Sequence, residues 1–570
     1  MTPVASKCVA RWVMVAVAVA LFLGTMPLAA ESKSGTAKVD PTLLAEARAH
    51  PDRLFPVIVR GATPASSFKK PALATKSPGA NGSVKGNKQD DDNADRVKRA
   101  ETALSASSNA GERRALSIVS GASGTLRGSQ IVVLSRNALI DRIVRNEAFN
   151  VTWTGADAGA ASTEAGIQEV NAPAAWSLLG ASGKGVGVAV IDSGVADHPD
   201  LAGRIVARVD LTGEGSNGDP GGHGTHVAGL IAGDGTASNG AWTGAAPQAD
   251  IISVRVIDSS GRATLSTIFA GMQWVLKNRS TYHIKVVNMS FGGTALTGYQ
   301  QDLLASAAEL LYFAGLTVVV SAGNSGPGPS SITSPANDPF VLTVGAADDR
   351  GTPTLADDTV AIWSSRGPTA FDGIAKPDLI APGRKMIGLR AAGSTIDSTY
   401  PDRRVTAPGA SDARYFTMSG TSMAAPVVAG VAALYFELNP GATPLAVKQQ
   451  LTGTAHPLPG VSAADQGAGV VDALAALSGA PVRVIYTPYA ASTAFAEQVY
   501  KKLFGQPIVW RDPAYHGGVD SRGIPWADIT WDDITWDDIT WEDITWEAFT
   551  WQDITWEDIT WEDITWELTK

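Results

Sequence analysis

Continuously apolar, β-branched runs recur through the middle of the chain: GVGVAVID ending at Asp192, IISVRVI from Ile251, IKVVNMS from Ile284, LTVVVSAG from Leu316 and FVLTVGA from Phe340. Strands that are apolar at every position, and not only at alternate ones, are buried on both faces, as parallel strands covered by crossover helices are. The stretches between the runs are amphipathic and read as those helices. Residues 166–479 therefore predict an α/β domain built on a doubly wound, mainly parallel sheet.

The region before it, residues 31–160, has a different rhythm. PVIV (Pro56–Val59) reads as a strand and ADRVKRAETAL (Ala94–Leu104) as a helix with charges interleaved among apolar positions. ALSIVSG (Ala115–Gly121) and SQIVVL (Ser129–Leu134) read as strands, SRNALIDRIVRN (Ser135–Asn146) as a helix capped by Ser135, and FNVTWTG (Phe149–Gly155) as a last strand. That order predicts a small α+β sandwich of the ferredoxin-like type. Residues 62–93, rich in Ser, Gly, Lys and Asp, read as a disordered insertion within it.

Both ends carry patterns of their own. Lys7 and Arg11 precede an apolar run from Val13 to Gly24 and small residues up to Ala30. The run is shorter than the roughly 18 residues a spanning helix needs, so residues 1–30 read as a secretory signal peptide. An uncleaved anchor is the alternative, because Leu28 stands where a small residue is preferred at the cleavage site. Residues 480–525 read as an accessory connector. From Trp526 to Trp566 a Trp recurs every five residues, nine of the sixteen in the chain, in pentads such as DDITW and EDITW. Five residues advance about 140° in a helix, which scatters the Trp, and in a flat strand they alternate faces. A stacked solenoid would turn every Ile inward and every acid outward. A binding array and a solvated appendage both remain open for this tail.

Composition refines these expectations. With 44% hydrophobic and 18% charged residues the chain is globular in character. The net charge of −11 is concentrated in residues 526–570, which hold fourteen acidic residues and one basic one, leaving the rest nearly neutral. No basic stripe suggests nucleic-acid binding. Cys8, the one cysteine, falls in the expected signal peptide, so no disulfide framework is foreseen.

Three motifs in residues 166–479 carry the side chains that acyl transfer by an alcohol requires. VAVIDSGV places Asp192 at the end of an apolar strand, HGTHVAG opens with His223, and SGTSMAAPVVAG presents Ser422 at the start of a small-residue helix. A seryl hydroxyl is a weak nucleophile and needs an adjacent base, which an imidazole of pKa about 6.5 provides. A carboxylate on the other side of that imidazole fixes its tautomer and stabilises its cationic form. Asp192 is well placed for this, since sites in open α/β sheets gather at the C-terminal strand ends. The amides at the start of the Ser422 helix face the nucleophile, with Pro426 expected in or near its first turn, where a missing N–H is harmless. In VVVSAGNSG, Asn324 sits in a Gly-flanked loop where its amide is a candidate oxyanion donor. Ser422 lies in GTSMA and not in the GxSxG elbow of esterases and lipases.

These motifs, in this order, resemble those of the subtilisin-like serine peptidases, the subtilase family. KPDLIAPG (Lys376–Gly383), SSRGP (Ser364–Pro368) and GIQEVNAPAAW (Gly166–Trp176) extend the likeness. The resemblance implies a subtilisin-like fold and a secreted endopeptidase with triad Asp192, His223 and Ser422, oxyanion donor Asn324 and a second, noncatalytic histidine, His226. It implies that extended protein or peptide substrates pair with Ser260–Thr264, including Gly261, and with Ser290, Phe291 and Gly292, while Ala322 and Gly323 border an open pocket. It implies that residues 31–160 are a propeptide that assists folding, inhibits in cis and is removed by self-cleavage near residues 156–166; a stable companion domain is the alternative. No cofactor is implied for the chemistry, whereas structural calcium is, with Asp200 in HPDL the candidate ligand. The Trp-rich tail is the candidate surface for a further partner.

Overall fold

The computed structural model describes residues 39–62, 91–105, 113–146, 148–150 and 165–479. The expected signal peptide, most of the insertion, the later part of the Phe149–Gly155 strand, the connector and the pentad repeat lie outside the described residues.

Helix α1 (Pro41–Ala49) starts at Asp40, whose carboxylate accepts from the Leu43 amide at 2.9 Å and satisfies a helix-end donor. It is followed by β1 (Leu54–Gly61), α2 (Asp91–Ser105), β2 (Arg114–Leu116), β3 (Gly121–Arg127), α3 (Gly128–Leu134) and β4 (Ile140–Arg145). The strands form an antiparallel sheet in the order β2-β3-β1-β4. The expected succession of strands and helices is present, but its second half is displaced. Ser129–Leu134, read as a strand, lies in α3, and Ser135–Asn146, read as a helix, contains β4.

Both differences have local causes. The Gln130 carbonyl accepts from the Arg127 amide at 2.8 Å and fixes a helix start ahead of the β-branched Ile131, Val132 and Val133. Val133 is 69% exposed, so this run does not need the two-sided burial of a strand. In β4, Ile140 and Ile143 are both buried although three residues apart. Gly61 faces Ile140 and Arg60 faces Arg142, which leaves Asp141 as a bulge. One extra residue turns the strand's spacing of two into three, which reads as helical.

The short β5 (Ala148–Asn150) leads, through undescribed residues, to α4 (Ala165–Glu169) and the α/β domain. Its strands are β6 (Gly187–Asp192), β7 (Ile205–Asp210), β8 (Asp250–Arg255), β9 (Arg262–Thr264), β10 (Ile284–Met289), β11 (Thr317–Ser321), β12 (Leu342–Asp348), β13 (Thr359–Val360), β14 (Leu379–Pro382), β15 (Met386–Leu389), β16 (Arg404–Thr406) and β17 (Ala413–Met418). The main sheet runs β13-β12-β11-β10-β6-β8-β7, with β14 also on β12. Every pairing in it is parallel except β12–β13. The five apolar runs are β6, β8, β10, β11 and β12. Strands β7, β13 and β14 are not among them, the first because its partly exposed edge residues are not uniformly apolar and the others because they are only two and four residues long.

From β6 the chain passes to the edge strand β7, returns to β8 beside β6, and then continues on the other side of β6 through β10, β11 and β12, so the crevice of a topological switch point opens over the C-terminal end of β6. One face is covered by α5 (His223–Ala232) and α9 (Thr421–Leu438), the other by α6 (Leu265–Asn278) and α7 (Leu303–Phe313). Among the described residues α9 is the one helix long and apolar enough to cross a membrane, and 89% of it is buried inside the fold. A small sheet, β15-β17-β16, with α8 (Thr395–Thr399) between β15 and β16, packs beside α5.

The amino-terminal sheet is not separate from this domain. Ile58, Leu116, Ile118 and Val119 join the core cluster that contains Ile268, Phe269 and Leu311. Ser117 donates to the Gln273 side-chain carbonyl at 2.7 Å, and the Asn146 amide both donates to and accepts from Ser266 at 2.9 Å.

Candidate active site

Strand β6 ends on Asp192, and α5 begins on His223. The His223 Nδ1 lies 2.8 and 3.0 Å from the two oxygens of Asp192, with both residues buried. The Ser193 amide donates to Asp192 Oδ1 at 2.7 Å, so the carboxylate is oriented from its own backbone as well. Burial alone would lower the His223 pKa, but the charge of Asp192 and the hydrogen bond to it outweigh that, and the net shift is upward from 6.5.

Asp219, four residues before His223, went unread in the sequence and is built into the same unit. Its Oδ1 accepts from the Ser193 hydroxyl at 2.8 Å and from the Gly222 amide at 2.7 Å; its Oδ2 accepts from the Thr225 amide at 2.8 Å and hydroxyl at 2.6 Å. The residue after Asp192 and the first turn of the His223 helix are thereby tied to one buried carboxylate. The signal available was an Asp inside the glycine-rich approach to HGTH, which is ambiguous with a turn residue. His226, one turn on, serves a different purpose. Its Nε2 donates to the Met386 and Phe416 carbonyls at 3.1 and 3.0 Å, joining α5 to β15 and β17, and burial pushes its pKa down to about 3, so it is neutral.

Ser422 is the second residue of α9. Its hydroxyl donates to the Ser290 carbonyl at 2.9 Å. Asn324, in the loop after β11, accepts at Oδ1 from the Thr421 amide and hydroxyl, both at 3.0 Å. With the carbonyl end of the side chain so held, its Nδ2 is directed to the Gly420–Ser422 corner, 3.4 Å from where a Cβ on Gly420 would stand. Pro426 is the sixth residue of α9 and not in its first turn, so its missing N–H does remove a helix bond.

The expected substrate-binding residues fall into two groups. Gly261 lies with φ +81° in the turn that leads into β9, and β9 is already paired antiparallel with β5, Ala148 against Thr264, Phe149 against Ala263 and Asn150 against Arg262. Ser290, Phe291 and Gly292 follow β10, and Gly292 meets Ala322 and Gly323 around Thr333. A Cβ on Gly292 would stand 2.5 Å from Thr333 Oγ1, and one on Gly323, with φ +106°, 2.6 Å from Thr333 Cγ2. Phe291 is 4% exposed and Ala322 fully buried, so their side chains form core beneath this surface instead of lining it.

Asp200, the candidate cation ligand, is engaged by protein donors through both oxygens. Its two oxygens accept from the Ala237 amide and the Tyr415 hydroxyl, each at 2.7 Å, and the residue is fully buried. Among the described residues no three His, Cys, Asp or Glu side chains are gathered so as to hold a metal ion. Asp200 thus acts as a brace between the HPDL turn and β17.

An imidazole held by a buried carboxylate, a seryl hydroxyl at a helix start and a side-chain amide aimed at the same corner define a serine-type peptidase of the parallel-sheet kind. The subtilase-family profile matches residues 183–473, half of the sequence, and the chain belongs to that family. It is 45% identical over 276 residues to the serine protease AprX of Bacillus subtilis, covering 47% of this chain and 61% of AprX. It is 35% identical over 312 residues to subtilisin BL of Lederbergia lenta, covering 55% of this chain and 97% of that protein, and likewise 35% identical over 312 residues to the M-protease of Shouchella clausii, of which 69% is covered. Subtilases are serine endopeptidases that need no cofactor for catalysis.

Proposed function

We propose that this protein is an exported serine endopeptidase, made as a zymogen whose own amino-terminal region occupies its cleft until it is cut away. The observation that carries the catalytic part is the Asp192–His223 contact at the switch point, with Ser422 and Asn324 at the adjoining helix start. In this reading the Ser422 hydroxyl leaves the Ser290 carbonyl for the Nε2 of His223 and attacks the scissile carbonyl as that nitrogen takes its proton. Asp192 holds the Nδ1 proton and offsets the imidazolium charge. The Asn324 amide and the backbone N–H of Ser422 receive the oxyanion. His223 returns its proton to the leaving amine, and water then repeats the sequence on the acyl-enzyme.

The zymogen part is supported by β5. It lies antiparallel on β9, the strand expected to bind substrate, and runs from Thr264 toward Arg262. An extended segment adding to a sheet edge is how a peptide substrate would be held. The chain reaches α4 after β5, so a cut between them would separate residues 31–160 from the domain. Export is supported by the charged, apolar and small-residue succession of residues 7–30, and a partner-binding role for residues 526–570 by their density of Trp beside acidic residues.

The deciding experiment expresses the wild type, Ser422→Ala and a form lacking residues 526–570, with intact-mass analysis, casein digestion and labelling by a serine-directed phosphonate. The expected result is a shortened, active, labelled wild type, a full-length inactive Ser422→Ala, and a truncated form that still digests a small peptide. A folded, processed wild type that neither cleaves nor takes label would overturn the reading.

A further inference from the structure

We propose that Ser290 is a positioning residue for the nucleophile, its hydroxyl supplying to Ser422 the backbone hydrogen bond that Pro426 removes. In an α-helix the carbonyl of Ser422 would accept from the N–H four residues on. That residue is Pro426, inside α9, and it has no N–H. The carbonyl is buried, and a buried carbonyl without a donor is destabilising. The Ser290 hydroxyl fills the vacancy, donating to the Ser422 carbonyl at 2.9 Å from the end of β10.

The contact is reciprocal, because the Ser422 hydroxyl donates to the Ser290 carbonyl, also at 2.9 Å. Two bonds between the same two residues fix both the main chain and the resting rotamer of the nucleophile. Ser290 is itself oriented: the Asn288 amide donates to its oxygen at 2.9 Å, which turns the hydroxyl proton toward Ser422. Asn288, Ser290 and Ser422 are all buried, so water does not compete for these bonds. Pro426 thus converts a bond internal to one helix into a bond between the strand that borders the substrate and the helix that carries the nucleophile. Ser290 touches no reacting atom through its hydroxyl; it acts by holding Ser422.

The inference rests on Ser422 being the nucleophile, and a double-mutant cycle tests it separately. Ser290→Ala in the wild-type background is expected to lower kcat about tenfold or more with KM changed less than about twofold, the pattern of a lost transition-state alignment. Pro426→Ala restores an N–H at the position that would bond to the Ser422 carbonyl. In that background Ser290→Ala is expected to cost less than about threefold. Equal costs in the two backgrounds would overturn the inference, since a merely structural role for Ser290 would not depend on residue 426. If Ser290→Ala does not fold, Ser290→Cys, of similar shape but a weak donor, carries the same cycle with the same criterion. Phosphonate labelling of Ser422 in the wild type distinguishes the two failures: no label sinks the peptidase reading, whereas a labelled wild type with an additive cycle sinks only this one.

Discussion

Asp219 accepts four hydrogen bonds that converge from the end of β6 and the start of α5, and its charge contributes to the raised His223 pKa. With His223 as the proposed base, active when neutral, kcat/KM should rise with pH through a limb that lies above the ordinary histidine value of 6.5. Asp219→Asn keeps the shape but removes the charge; the limb is expected to move to lower pH and kcat to fall, as a pH profile of peptide hydrolysis would show. An unmoved limb would remove Asp219 from the electrostatics of the site. Asn324→Ala should lower kcat by about 100-fold or more, in line with the ~2.7–4 kcal/mol of one oxyanion donor, with KM little altered. Asp192, His223, Asn324 and Ser422 could be singled out in the sequence because each sits in a short motif whose side-chain chemistry is complementary to the others. Asp219 and the Ser290 hydroxyl could not, because their meaning depends on contacts across 26 and 132 residues that no local pattern encodes.

The strands of the main sheet were legible for a related reason. Burial on both faces imposes an apolar residue at every position, and five of the runs declare it. The amino-terminal sheet imposes less. A glutamine cap starts α3 against β-branched propensity, and the Asp141 bulge gives β4 the spacing of a helix. The HPDL turn is legible only in part: its Asp200 belongs to a pattern shared with cation ligands, and only the Tyr415 hydroxyl, 215 residues on, shows that it also braces β17.

Across the whole molecule, the link between α4 and the main sheet is made of acid. Glu169, Asp349 and Asp358 are all buried, and the Glu169 carboxyl is held well above the usual carboxylate range by burial first and by the charges of Asp358 and Asp349 next. The folded state therefore retains a proton that the unfolded chain releases above pH about 4.5, the ordinary value for glutamate. Folding binds more protons through that window, so this group's contribution to stability falls as pH rises. Glu169→Gln removes the titration and is expected to raise Tm at pH 8 to 9 by several degrees relative to wild type, with the gain shrinking toward pH 5. A gain independent of pH, read by thermal unfolding of the active-site variant Ser422→Ala, would contradict this.

If the amino-terminal region is an inhibitory propeptide, as proposed, the pairing of β5 on β9 also sets the kinetics of the uncut chain. A strand covalently joined to the edge it covers competes at an effective concentration of about millimolar, whatever the concentration of the protein. Dilution cannot empty such a cleft, and a free peptide must approach that concentration to displace it. An uncut preparation should accordingly show a lag before hydrolysis, and trace amounts of cut enzyme should abolish the lag if one molecule can release the next.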